Sequence, residues 1–184
     1  MFAVNSSTNR VLAVHYKDWR HQIGITDFAS GEQLYVLAGN GRRSPLITTN
    51  TNGEVVGSSK THSMSSRIDI ETISTTGISR PFEMRTGKII GGSHSFTSPA
   101  FDGQRMTWKN KLMSTKIVYT LVDERGVTLA SFESAPRSRS KVGKLEILDS
   151  VVEQDRVNEV VVTVLTLLYR KLMALRDASA VAVM

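Results

Sequence analysis

The 184-residue chain contains no cysteine. This absence excludes disulfide bridges, cysteine-based zinc sites and catalysis by a thiol. The chain also lacks an apolar segment long enough to cross a bilayer. The uncharged stretch between Glu159 and Arg170 is about ten residues, or roughly 15 Å of helix, whereas a bilayer core needs about twenty residues to span about 30 Å. We therefore expect no transmembrane segment, and we interpret this stretch as part of a buried helix.

Targeting and cofactor signals are also missing from the sequence. Residues 1–10 have no basic region followed by a long apolar region, so we expect no secretory signal and an intracellular protein. Gly39-Asn40-Gly41 lacks the strand–loop–helix context of a nucleotide-binding loop. None of the four histidines has metal-ligand spacing with a carboxylate: His15, His21, His62 and His94. We therefore expect no metal, no cofactor, no catalytic residue and no enzymatic activity.

Short strand-like runs recur along most of the chain. Several are joined by pairs that accept a positive φ, as hairpin turns often require: Asn40-Gly41, Asn52-Gly53 and Asp102-Gly103. Closely spaced strands with such turns indicate an antiparallel sandwich or barrel. The predicted strands are Val11–Tyr16, Gln33–Ala38, Leu46–Asn50, Glu54–Ser58, Ile68–Ile73, Pro81–Arg85, Lys88–Gly91, His94–Phe96, Gln104–Lys109, Lys116–Val122, Val127–Phe132 and Val142–Leu148.

The C-terminal segment from Val151 to about Leu175 reads as a helix that is apolar on every side through its middle. Its β-branched run, 160–164, would favour a strand. The flanks contain strong helix formers, acids lie early and bases late, and Ser150 with Glu153 matches a capping box. An apolar helix of this kind must be buried. We therefore predict a mainly β fold, a closed antiparallel barrel around a central C-terminal helix.

Domain limits and core residues follow from the same patterns. Residues 9–176 form one predicted domain, with flexible termini at 1–8 and 177–184. Alternation along the strand at 104–109 places Met106 and Trp108 on one face, which we assign to the core together with Phe101.

The order of several segments resembles a known family. The segments are Phe101-Asp102-Gly103 with Trp108-Lys109, Leu121-Val122-Asp123, Val127–Phe132, Gly143-Lys144-Leu145-Glu146-Ile147 and the closing apolar helix. Over residues 33–176 the chain resembles the tubby C-terminal-like superfamily, closest to a fungal branch related to the plant LURP-one-related proteins and the phospholipid scramblases. The resemblance implies about twelve strands enclosing the helix. Tubby domains bind phosphoinositides through basic surface residues, whereas the acidic calcium segment and the membrane helix of scramblases have no clear counterpart here.

Basic residues are the main candidates for binding. The net charge of +6 and the pI near 9.8 favour anionic partners, although a mildly basic solvated surface would look the same. In an extended segment, alternation would place the basic residues at 137, 139 and 141 on one side, and guanidinium groups bind phosphate bidentately. Ser138 and Ser140 could act as a phosphorylation switch that cancels this basic patch. The alternative is a solvated hairpin loop. The predicted lipid-binding residues are Arg137, Arg139, Lys141, Lys144, Lys109 and Lys111.

The sequence therefore predicts a non-enzymatic, monomeric module that attaches peripherally to anionic phospholipid membranes, with phosphoinositides as the preferred lipids. We expect it in the cytoplasm, at a membrane surface or in the nucleus. The alternative is an adaptor or transcription-related protein that binds a protein or nucleic-acid partner. The nucleic-acid version lacks an RRM or KH signature, a zinc pattern and a basic helix.

Overall fold

The described part of the chain contains twelve β-strands and one α-helix. The computed structural model describes residues 9–17, 22–39, 44–62, 65–87, 92–113, 116–135 and 141–181. The elements are β1 (Arg10–Lys17), β2 (Gln22–Asp27), β3 (Gln33–Gly39), β4 (Leu46–Asn50), β5 (Val55–Thr61), β6 (Arg67–Ile73), β7 (Ser79–Thr86), β8 (His94–Thr97), β9 (Arg105–Met113), β10 (Lys116–Val122), β11 (Thr128–Ser134), β12 (Lys141–Ile147) and α1 (Gln154–Val181).

The strands form a closed antiparallel barrel. Each strand pairs with its neighbours in sequence, and β12 closes the sheet by pairing with β1, where Leu12 lies opposite Leu145. Closure leaves no strand edge unpaired, so the sheet offers no template for pairing with another chain. This architecture confirms the predicted fold, including the number of strands.

The helix α1 lies inside the barrel. Every side chain from Val157 to Tyr169 is buried, with at most 5% of its surface exposed. Thirteen consecutive residues cover more than three turns, so all faces of the helix are enclosed. Two polar contacts reach distant strands: the indole Nε1 of Trp108 donates to the Thr163 hydroxyl (3.0 Å), and the Thr166 hydroxyl lies 2.8 Å from that of Ser59. The prediction of a central buried helix is confirmed.

Gly57 on β5 lets the helix approach the wall closely. A Cβ atom at this position would lie 2.7 Å from a methyl group of Val162 and 2.7 Å from the backbone oxygen of Glu71. Both distances are well inside van der Waals contact, so only glycine fits between the helix and β6 here. The helix can therefore pack against β5 only because residue 57 has no side chain.

The helix begins later than the sequence predicts. It starts at Gln154, and the carbonyl of Glu153 accepts the first helical bond from the Val157 amide (3.0 Å), which makes Glu153 the N-cap residue. Ser150 lies three residues earlier, outside the helix, so the predicted capping box is wrong. A turn in which the Val151 amide donates to the Leu148 carbonyl occupies this stretch instead.

The helix also ends later. It continues to Val181, six residues beyond the predicted end at about Leu175, and the predicted flexibility of 177–184 stays a prediction. Propagating an existing helix adds one hydrogen bond per residue fixed, so a chain already held in the barrel extends it at little cost. Residues 1–8 lie outside the described part of the chain, as do residues 182–184 of the predicted flexible C-terminus.

Eleven predicted strands overlap observed ones, and the twelfth, Lys88–Gly91, lies outside the described residues. The structure adds β2, which the sequence reading missed although Ile23 and Ile25 are fully buried there. Gly24 between them weakens the strand pattern, since glycine is depleted in strands. The predicted core residues are confirmed: Phe101 is 5% exposed, and Met106 and Trp108 are fully buried.

Candidate functional site

Antiparallel topology divides the connecting segments between the two ends of the barrel. The helix begins at one end, which also carries the turns after β2, β4, β6, β8, β10 and β12. We call this the acidic end, formed by residues 28–32, 51–54, 74–78, 98–104, 123–127 and 148–153. The helix leaves through the opposite end, where β1, β3, β5, β7, β9 and β11 finish. We call this the basic end.

The acidic end collects most of the carboxylates. Counting its turns and the three nearest residues of every strand, it has ten acidic residues and four basic ones. The acidic residues are Asp27, Glu32, Glu54, Glu71, Asp102, Asp123, Glu124, Glu146, Asp149 and Glu153. The basic residues are Arg10, Arg80, Arg105 and Arg125.

Several of these carboxylates have a structural task in the turns. Asp27 Oδ1 accepts hydrogen bonds from the amides of Ala29 and Ser30, at 3.0 and 2.8 Å, and the contacts with Ser30 lower the pKa of this carboxyl. Asp123 Oδ1 accepts in the same way from the amides of Arg125 and Val127, at 2.9 and 2.7 Å. Such contacts replace the backbone bonds that a tight turn leaves open. Turn chemistry therefore accounts for two of the ten negative charges at this end.

The basic end has the opposite charge. By the same count over its described residues, it has seven basic residues and two acidic ones, Asp69 and Glu133. The basic residues are Lys17, Lys60, Arg67, Arg85, Lys111, Lys116 and Lys141. They belong to β1, β5, β6, β7, β9, β10 and β12, so basic residues occur around most of this end. The adjacent strands β2, β3 and β4 contribute none among their described residues there.

The predicted binding residues are distributed unevenly over this end. Arg137 and Arg139 lie outside the described residues, and Lys141 begins β12, where only the backbone is described. Lys109 and Lys111 lie on the exposed face of β9. The structure therefore brings these two lysines together on one strand.

Lys144 is apart from the β9 lysines. Strand register places Lys111, Val118, Glu133 and Lys144 in one row across four strands. Three strand spacings of about 4.8 Å put Lys144 about 14 Å from Lys111 at the backbone. Its Nζ lies 3.6 Å from a carboxylate oxygen of Glu146, so part of its charge is already neutralised.

The sequence reading missed the cations on β5 to β7. Arg67 Nε contacts Asp69 at 2.5 Å and Glu83 at 2.8 Å, and Arg85 pairs with the same Glu83. Lys60, at the end of β5, is exposed and has no ion-pair partner among the described residues. The available signal was the strand order: every second connection of an antiparallel barrel lies at the same end.

A cavity of about 510 Å³ lies at the acidic end beside the start of the helix. Its polar groups bond to one another. The hydroxyl of Tyr35 donates to Asn158 Oδ1 (3.0 Å), and Gln154 Nε2 donates to both of these oxygens, at 2.7 and 2.8 Å. Asn50 and Glu54 form another pair at 2.7 Å. Such mutually satisfied groups offer few free donors to a ligand.

Glu159 is the most deeply buried carboxyl described, with 1% of its surface exposed. It accepts hydrogen bonds from the Ser98 hydroxyl and from the Ala100 amide (3.1 Å). Burial raises its pKa to about 7, against the lowering effect of these bonds and of Arg80. The group fastens the helix to the turn between β8 and β9, and no second carboxylate contacts it in the described structure.

The described residues offer neither a metal site nor a membrane-spanning helix. No three side chains among His, Asp and Glu there cluster closely enough to hold a metal ion. The one helix found in this part of the chain, α1, does not combine the length and apolarity required of a membrane span.

Comparison with known proteins leaves the function to be inferred from the barrel itself. No family model, curated protein or solved structure matches this chain. The resemblance to the tubby C-terminal-like superfamily therefore stays a prediction.

Proposed function

We propose that this barrel is a non-enzymatic module that attaches through its basic end to anionic phospholipid membranes, with phosphoinositides among the preferred lipids. One observation carries the proposal: charge is segregated along the barrel axis, with carboxylates at one end and cations at the other. An anionic surface attracts the basic end and repels the acidic end. The charge distribution therefore favours one orientation as well as attachment.

The expected attraction is modest. A Lys or Arg near an anionic bilayer contributes about 1 kcal/mol. Ion pairs such as that of Lys116 with Glu133 (2.5 Å) reduce the contribution of some cations. Lys60 and Lys111 have no such partner among the described residues, so their charge is fully available. A few uncompensated cations thus give weak binding, which salt weakens further because the screening length is about 8 Å at physiological ionic strength.

The shape of the charged region favours a membrane over a nucleic acid. The cations are spread over seven of the twelve strand ends at one end of the barrel, and such an end can approach a flat surface with several of its charges at once. Nucleic-acid binding typically uses a stripe or groove that follows the phosphate backbone. Arg137 and Arg139 join β11 to β12 in sequence, and the adjoining strand ends lie at the basic end. We include both residues in the proposed surface.

Sedimentation with liposomes tests the proposal at low and physiological salt. The liposomes contain phosphatidylcholine alone, or the same lipid with phosphatidylserine or phosphoinositide. The test variant is Lys60→Gln with Lys111→Gln, at the basic end. Its matched control is Arg105→Gln with Arg125→Gln, which removes the same charge from exposed positions at the acidic end. We expect the test variant to bind anionic liposomes about thirtyfold more weakly, since two cations contribute about 1 kcal/mol each.

The control should bind like the natural sequence, and both variants should keep its melting temperature, since exposed charges contribute little to folding. Equal weakening in the two variants would mean that net charge, not the basic end, drives attachment. Absence of liposome binding at low salt, together with salt-sensitive binding to an oligonucleotide or a protein, would favour the alternative function.

A further inference from the structure

A second cavity, of about 320 Å³, lies at the basic end between α1 and the strands β7 to β10. Strand register explains its lining, because Asn110 lies opposite Tyr119 and Thr86 lies opposite His94. The helix contributes Arg170 and Lys171 from the turn that follows its fully buried part. Two cationic side chains therefore meet four neutral polar ones in one hollow.

Arg170 is the unusual group in this cavity. It is half-buried, and no carboxylate of the described chain pairs with it. Burial lowers the pKa of its guanidinium, and the neighbouring phenol of Tyr119 only partly opposes that effect. A guanidinium has five N–H donors in a fixed plane, and withdrawing it from water without an anionic partner is costly. The site thus has more positive charge than negative charge, and its hydrogen-bond donors outnumber the available acceptors.

The other polar groups that line the cavity carry no negative charge, so they do not repel an anion. Burial, reinforced by the charge of Arg170, lowers the pKa of His94 to about 4, so its ring is neutral at pH 7, and it shares a 3.0 Å hydrogen bond with the hydroxyl of Thr86. The Oδ1 atom of Asn110 is buried without a partner in the described structure. Turning this amide about its terminal bond presents the NH₂ group as a donor instead. The hydroxyl of Tyr119 is a further donor.

The acidic-end cavity gives the contrast. There Tyr35, Gln154 and Asn158 bond to one another, Asn50 bonds to Glu54, and the lining includes one carboxylate, Glu54, as well as one cation, Arg10. In the basic-end cavity, no carboxylate is among the described lining residues, and the donors of Arg170 have no acceptor among the residues that the structure describes. The chemistry of this hollow suits a compact dianion that accepts several hydrogen bonds.

We propose that this cavity binds a phosphomonoester or free phosphate group, with Arg170 contacting two phosphate oxygens and Lys171 adding a second positive charge. Planar guanidinium matches phosphate bidentately, whereas ammonium acts as a point charge. As a lipid site this rests on the proposed function, because the basic end would bring a headgroup to the cavity. As a site for a soluble phosphate compound, the cavity does not depend on the proposed membrane function.

Two arms of an experiment distinguish these sources. In the first, inorganic phosphate is titrated while the ring signals of His94 are followed by NMR. A phosphate in the cavity should raise the pKa of His94 by about one unit or more, since opposite charges within about 4–6 Å shift pKa values by 1–3 units. The groups that face this ring are Arg170 and Lys171 from the helix and Thr86, Asn110 and Tyr119 from the strands.

In the second arm, vesicles with phosphatidic acid, whose headgroup is a phosphomonoester, are compared with phosphatidylserine vesicles matched in total surface charge. We expect a preference of about tenfold for phosphatidic acid. Arg170→Gln should abolish this preference, and Arg170→Lys should lose most of it. The control Arg105→Gln, at the acidic end, should keep it. Arg170→Gln should remain folded, because it removes a half-buried charge that has no carboxylate partner among the described residues.

The outcomes separate the two proposals. If Arg170→Gln keeps the phosphatidic acid preference, or if phosphate leaves the His94 signals unchanged and no vesicle preference exists, the cavity is not a phosphate site, even where phosphatidylserine binding persists. If phosphate shifts His94 but the vesicles show no preference, the site binds a soluble phosphate compound. Loss of all anionic vesicle binding in the natural sequence would overturn the membrane function instead.

Discussion

Two buried groups should give this barrel opposing dependences of stability on pH. Burial raises the pKa of Glu159 from 4.5 to about 7. The folded protein therefore holds this proton more tightly than the unfolded chain between pH 4.5 and 7. The stabilisation is fully present below pH 4.5 and is lost as pH rises through that window. At about 1.4 kcal/mol per pKa unit, the free energy of unfolding should fall by about 3 kcal/mol.

His94 acts in the opposite sense. Burial, and then repulsion by Arg170, lowers its pKa from 6.5 to about 4. Here the unfolded chain binds the proton more tightly between pH 4 and 6.5, so stability is lost as pH falls through this range. The size is again about 3 kcal/mol. Between pH 4.5 and 6.5 the two effects nearly cancel, and the natural sequence should show an almost flat profile there.

Single substitutions should reveal how the free energy of unfolding depends on pH for each group separately. Glu159→Gln imitates the protonated acid, since its amide can donate to the Ser98 hydroxyl and accept from the Ala100 amide. This variant should gain about 3 kcal/mol of stability as pH rises from 4.5 to 6.5, because only His94 titrates. His94→Gln should lose a similar amount between pH 4.5 and 7. Urea denaturation at pH 4.5, 5.5, 6.5 and 7.5 measures both profiles.

Glu124→Gln is the control, because it removes an exposed carboxylate from a turn at the acidic end. It should reproduce the natural profile. A flat profile for Glu159→Gln would refute the lowered pKa of His94, and a flat profile for His94→Gln would refute the raised pKa of Glu159. A steep slope in the natural sequence, with both variants unchanged, would place the titration elsewhere.

Two further predictions test the enclosed helix and the predicted loop. Leu165→Asp should unfold the barrel or leave it insoluble, because Leu165 is fully buried and an unpaired buried carboxylate costs several kcal/mol of a typical 5–15 kcal/mol; a soluble variant with an unchanged melting temperature would contradict the central helix. Replacing Arg137, Arg139 and Lys141 together by Ala should weaken binding to phosphoinositide liposomes at low salt without changing the melting temperature; unchanged liposome binding would remove these three residues from the surface.

The fold was largely predictable because its strongest signals are local. A helix whose middle is apolar on every side has few soluble solutions, and closely spaced hairpin turns already indicate antiparallel strands. The start of the helix was not predictable from local pattern. Asp155 accepts a hydrogen bond from the Thr75 amide (2.7 Å) and pairs with Arg80 (3.1 Å), so contacts distant in sequence hold the first turn. The Ser150 pattern fits a capping box, but tertiary structure overrides it.

The candidate site was only partly predictable. Adjacent lysines such as Lys109 and Lys111 can be recognised on one strand, but the basic end requires knowing which connections share an end of the barrel. The role of Arg170 was hidden for another reason. In sequence it is a base late in a helix, which suits the helix dipole. Only the structure reveals that this side chain lines a cavity without a carboxylate partner among the described residues.

Polar contacts inside the apolar core determine where Arg170 lies. Valine and leucine side chains alone would pack against the wall in several rotations of the helix, because apolar contact has no direction. The contacts of Glu159 with Ser98, of Thr163 with Trp108 and of Thr166 with the hydroxyl on β5 are directional and involve different parts of the wall. Together they fix both the rotation and the height of the helix. Arg170 follows Glu159 by eleven residues, about 16 Å along the axis, which brings its guanidinium to the cavity at the basic end. The same buried contacts that specify the fold thus position the charge on which the proposed phosphate site depends.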